Sequence, residues 1–99
     1  MNHSVGHRLE QYTRQRPQEV LIVTAEVAGE RDQIAIFKGF SSSLMQATAF
    51  DPDIPVLPDS ARIISIDRVK SPYNPQNVVY LERELTWDSI QPLLSEAGV

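Results

Sequence analysis

The chain has 99 residues, 41% of them hydrophobic, with 9 basic and 13 acidic groups and a formal net charge of −4. A chain of this length supports one packed core and not two. It contains no cysteine, which excludes disulfides, thiolate metal sites and a cysteine nucleophile, and fits a reducing, cytoplasmic setting.

No stretch approaches the roughly 20 consecutive apolar residues of a membrane span, and residues 1–7 lack the apolar centre of a secretory signal. A soluble protein with no membrane span is expected. The charge is uneven: residues 1–17 carry a surplus of two positive charges, whereas residues 18–99 hold six basic against twelve acidic groups. The larger part would therefore repel a phosphate backbone at long range, so nucleic acid is not favoured as a partner.

In chain order, Ser4 is a candidate cap for a short helix that places Val5, Leu9 and Tyr12 on one face and stops at Pro17. Three apolar contacts anchor such a helix only weakly. Residues 1–17 accordingly read as an N-terminal helical arm, and 18–99 as a single small β-rich domain. The run 19–28 is too rich in β-branched and apolar residues to be anything but a largely buried strand. Gln33–Lys38 is its hairpin partner, with Gly29–Asp32 reversing the chain.

Gly39–Ser43 then interrupts the pattern. Leu44–Phe50 suits either a helical turn or a short strand, with the strand preferred. Asp51–Asp59, with Pro52, Pro55 and Pro58, is a stiff extended connection.

Alternation returns over Ala61–Val69, with Ile64, Ile66 and Arg68 on one side and Ile63, Ser65, Asp67 and Val69 on the other. A turn at Ser71–Asn77 leads to a fourth strand from Val78 to Glu84. The chain closes on a helix bearing Trp87, Ile90, Leu93 and Leu94 on one face. Its start is open between a Thr86 cap and Ser89, because Pro92 is best tolerated in a first turn. Trp87 either plugs the end of the sheet or faces solvent. The fold expected is mainly β (α+β): an antiparallel four- to five-stranded meander or partly open small barrel, with a short N-terminal and a C-terminal helix.

Enzyme signatures are missing. There is no phosphate loop, dinucleotide fingerprint or serine elbow, and Gly6, Gly29, Gly39 and Gly98 are too scattered to form one. His3, His7 and Glu10 fall on neighbouring helical turns and have ligand chemistry, but nothing rigid lies nearby to form a second shell, and a solvated tail is the preferred reading. Asp51, Asp53 and Asp59 fall short of a calcium loop. The proline period at 52, 55 and 58 matches a polyproline ligand, although a crossover packed on its own domain by Ile54, Val56 and Leu57 is the simpler reading. No catalytic or metal-ligating residue is assigned, and no cofactor is expected.

The most suggestive segment is Lys38-Gly39-Phe40-Ser41-Ser42-Ser43, where a cation, a flexible glycine and three hydroxyls follow a strand. With Arg68 it would make a small anionic or protein-docking site; a polar strand end is the plainer account. Lys38-Gly-Phe-Ser-Ser-Ser-Leu44, Ile66-Asp-Arg68, Pro72-Tyr-Asn-Pro75, Tyr80-Leu-Glu82 and Leu85-Thr-Trp87 resemble a small uncharacterised domain of cyanobacteria and plastid-targeted plant proteins. The resemblance spans roughly residues 19–91 and leaves the first 17 outside. It implies a photosynthetic lineage and supplies no reaction, ligand or catalytic position.

The function expected is a non-catalytic protein-interaction or assembly module, with Lys38, Gly39, Ser41, Ser42, Ser43, Arg68, Tyr73 and Trp87 as contacts and a protein as partner. The alternative is a nucleic-acid-binding small barrel using Lys38, Arg62, Arg68, Lys70 and Arg83. A small-anion-binding or enzymatic domain comes third.

Overall fold

The computed structural model describes residues 5–27, 29–44 and 61–99. Their elements are α1 (Val5–Gln15), β1 (Glu19–Val27), β2 (Glu30–Phe37), β3 (Phe40–Ser43), β4 (Arg62–Lys70), β5 (Tyr80–Leu85) and α2 (Trp87–Glu96). All strand pairs are antiparallel, in one sheet ordered β3-β2-β1-β4-β5. The mainly-β, α+β architecture is as expected, but the sheet stays open and does not close into a barrel. β1 to β3 form a meander, and β4 then joins the far side of β1.

The middle position of β1 explains its composition. Val20 to Val23 and Ala25 are all buried because both faces of the strand are covered. On one face Leu21, Val23, Ala25, Ile34, Ile36 and Ile66 pack with Leu9 and Tyr12 of α1 and with Ile90 and Leu94 of α2. On the other, Val20, Ile22 and Val69 form a smaller cluster with Ala35, Phe37, Tyr73 and Val78. The first helix is therefore no loosely held arm, since Leu9 and Tyr12 lie wholly inside the main core.

Two boundaries differ from the sequence reading for polar reasons. β2 begins at Glu30 rather than Gln33, with Val27 opposite Glu30. Asp32 sits within the strand because its carboxylate accepts from the Gln33 N–H at 2.8 Å and the Ser43 hydroxyl at 2.9 Å. The segment 40–43, read as an interruption, is an edge strand with Phe37 opposite Phe40 and Ile36 opposite Ser41. The two-residue turn between them has positive φ at both Lys38 (50°) and Gly39 (85°), the geometry that suits the twist of a tight hairpin.

A third difference lies in β4, where the register against β1 shifts between Ser65 and Ile63. This bulge turns Ile63 into the helix-covered core and leaves Ile64 exposed, the reverse of strict alternation. β5 starts at Tyr80 rather than Val78. Thr86 caps α2, its hydroxyl accepting from the Ser89 N–H at 3.0 Å, so Pro92 lies inside the helix. The Ser4 cap, the preferred strand at 44–50 beyond Leu44 and the proline connection at 51–59 fall outside the described residues.

Gly39 is the tightest joint between helix and sheet. A Cβ there would lie 2.6 Å from Arg14 Cγ and 2.7 Å from Cδ, and the positive φ penalises any L side chain. Gly39→Ala is expected to cost about 1–3 kcal/mol, lowering the melting temperature in a circular-dichroism scan. Adding Arg14→Ala should return the steric part of the loss and leave the backbone part.

Candidate functional site

β1 begins with an ionisable residue in a buried run. Glu19 is 4% exposed, and one oxygen, Oε1, accepts from the Tyr12 hydroxyl at 2.9 Å and from Arg68 Nε at 2.7 Å. Arg68 Nη1 reaches the Glu82 carboxylate on β5. Burial, reinforced by the hydrogen bond and negative charge of Glu19, pushes the Tyr12 phenol up to about 12. The hydrogen bond to Glu19 holds Arg68 more firmly protonated, outweighing the opposing cost of burial. The Tyr12 hydroxyl and Arg68 Nε and Nη1 are thus committed to carboxylates, and the cluster ties α1, β1, β4 and β5 together.

Arg68 therefore stands apart from the Lys38–Ser43 segment with which the sequence grouped it. It lies on β4, across β1 and β2 from β3. Within the segment, the Gly39 N–H donates to Thr13 Oγ1 at 3.0 Å, Ser41 Oγ to Glu10 Oε2 at 2.7 Å and Ser43 Oγ to Asp32. Donors that an anion would need thus face the helix and two carboxylates, while Ser42 is exposed on the opposite side. Lys38 is exposed at the turn, its Nζ 5.2 Å from the centroid of Phe37.

Tyr73 packs against the smaller cluster. Trp87 is half-buried against the main core, with the Arg8 guanidinium 5.6 Å from its ring centroid. What composition did not single out is Phe40, which is 78% exposed, while the other exposed large apolar side chains described lie between 37% and 48%.

Among the described residues, shallow clefts lie at two places. One, of about 340 Å³, is lined by His7, Arg8, Gln11, Gln15, Gly98 and Val99. Arg8 spans it, donating to Gln91 Oε1 and the Val99 carbonyl, each at 3.1 Å. The other, of about 260 Å³, lies between Lys70 and the 71–79 loop. Among the described residues no three His, Cys, Asp or Glu side chains are placed to hold a metal, and Glu10, grouped by sequence with His3 and His7, serves Ser41. No helix described is long and apolar enough to cross a membrane.

A family model described as Domain of unknown function (DUF7734) matches residues 6–94. The chain belongs to this family. The match takes in α1, which the resemblance read from sequence had left outside, as the burial of Leu9 and Tyr12 requires. No curated protein and no solved structure matches the chain.

The Tyr12–Glu19–Arg68 cluster makes a measurable demand. The folded phenol titrates near 12 against 10.0 when free, so the unfolded chain loses this proton first, and stability falls as pH rises from about 10 to 12. The loss should be on the order of 2–3 kcal/mol, and Tyr12→Phe should abolish that component in urea titrations. Arg68→Met leaves the buried Glu19 charge without its cation and should cost about 3–5 kcal/mol at neutral pH.

Proposed function

We propose that this chain is a non-catalytic protein-interaction or assembly module that meets its partner at the β2–β3 turn and along β3. The exposure of Phe40 carries this reading. A phenyl ring left 78% in water at the start of an edge strand offers apolar area that a partner would gain by covering, and the adjacent strand edge is a template for pairing. Within the segment named by the sequence, Lys38 and Ser42 would be contacts, while Gly39, Ser41 and Ser43 shape the hairpin through α1 and β2. Arg68, Tyr73 and Trp87 contribute by holding the sheet rigid. A cytoplasmic setting in a photosynthetic lineage accords with the lack of cysteine and with the resemblance.

The nucleic-acid alternative draws less support. Lys38 and Lys70 sit at one end of the sheet and Arg62 at the other; Arg68 is bound to two carboxylates, and Arg83 lies 4.3 Å from the Tyr80 ring centroid.

Affinity purification from the native cell through a salt series tests the proposal. A protein partner should be recovered whether or not nuclease is added, and Phe40→Ser should lower its recovery by about tenfold or more, because burying such a ring contributes roughly 1.5–3 kcal/mol. Recovery of RNA or DNA instead, or a partner held equally by Phe40→Ser, overturns the reading.

A further inference from the structure

Resting on the interaction reading above, we infer that the partner along β3 is a second copy of this chain, joined antiparallel, edge to edge, about a two-fold axis at Ser41. The backbone sets this register. The Leu44 N–H donates to the Gln33 carbonyl at 2.7 Å, so Leu44 stands in a hydrogen-bonded pair with β2, and alternation gives Ser42 and Phe40 positions of the same kind. Ser41, opposite Ile36, falls between them. Its N–H and C=O therefore point away from β2, and among the described residues neither has a partner. An isologous pair exchanges both groups with those of the partner's Ser41.

The same register engages the face turned away from the helices. Phe40, opposite Phe37, and Ser42, opposite Ala35, lie on that face, where Phe40 is exposed. With Ser41 on the axis, Phe40 stands opposite the partner's Ser42 and diagonal to the partner's Phe40, at about 7–8 Å, within reach of aromatic side chains. The most exposed ring among the described residues thus meets its own copy, and each covers the other.

On the helix side, charge changes sign along this edge. Arg14, exposed and in no ion pair among the described residues, lies over Gly39 at the turn end. Asp32, which accepts from Ser43 Oγ at 2.9 Å, lies at the other end. An antiparallel copy reverses that order, so the Arg14 end of each protomer lies beside the Asp32 end of its partner. Between them Ser41 Oγ donates to Glu10 at 2.7 Å, which brings the two Glu10 carboxylates towards the axis, where they oppose the pairing. A second copy supplies both complements at once, ring against ring and cation against carboxylate. A strand of four residues a side makes an interface at the low end of specific ones, so the association is weak and concentration-dependent.

The test is sedimentation velocity of the full chain across the micromolar to millimolar range, with hydrogen exchange followed at the Ser41 amide. A monomer–dimer equilibrium is expected, with protection of the Ser41 N–H growing with concentration. Phe40→Ser removes a ring from each side and should lower the association constant by about tenfold or more. Glu10→Gln, which keeps an acceptor for Ser41, should raise it severalfold, and Leu81→Ser on the exposed edge strand β5 should leave it unchanged. A chain monomeric throughout, association that Phe40→Ser leaves intact or Leu81→Ser weakens equally, or a Glu10→Gln variant that associates no more tightly overturns the inference. A chain that stays monomeric yet captures a different protein through Phe40 refutes self-pairing and leaves the interaction reading standing. If Phe40→Ser alters neither self-association nor capture, both fall.

Discussion

The buried carboxylate of Glu19 is the constraint from which much of the architecture follows. An unpaired carboxylate inside a protein costs several kcal/mol, so β1 can begin where it does only if a cation and a donor arrive from elsewhere. The cation comes from β4 and the donor from α1, and both meet the same oxygen, at 2.7 and 2.9 Å. A one-residue slip of β4 would carry Arg68 to the opposite face and strand the charge. The pairing therefore sets the register of the two central strands together with the docking of the helix, and Glu82 extends it to the edge strand β5.

Pairing of this kind decides much of what could be read from the sequence and what could not. β1 announces itself by an apolar run because both its faces are covered, and β4 by its isoleucines, of which Ile66 is buried and Ile63 packs against the core. β3 does not. Ser41, Ser42 and Ser43 have no apolar periodicity; the strand is fixed by its ladder to β2 and by acceptors distant in sequence, Glu10 for Ser41, Asp32 for Ser43 and Thr13 for the N–H of the preceding Gly39. The same polar capture keeps Asp32 inside β2 instead of in a turn. For α1, three apolar positions looked too few to secure a helix; the sequence concealed that two of them are wholly enclosed and that Tyr12 and Thr13 add polar anchors to the sheet. The bulge at Ile64 inverts an alternation that no local pattern marks.

The candidate site was legible in outline only. Composition drew attention to Lys38–Ser43, yet the glycine and two of the three serines turn out to bind the hairpin to α1 and β2. One signal for the buried cluster was available: a glutamate opening a continuous apolar run needs a partner, and Arg68, alternating with Ile66, was placed on a buried side. Phe40 was hidden because its neighbours suggested a loop, in which an aromatic residue commonly folds back onto the core.

Among the described residues, the two edges of the sheet are treated differently. β5 has three consecutive charged residues, Glu82 to Glu84, two register shifts against β4 and a positive φ at Glu84, all of which discourage an added strand. β3 has no charge, no proline and an unbroken register against β2; shortness is the one protective device it shares with guarded edges. Its start carries the most exposed phenyl ring described. Of the two described edges, β3 is therefore the one whose backbone is left as a template for an added strand.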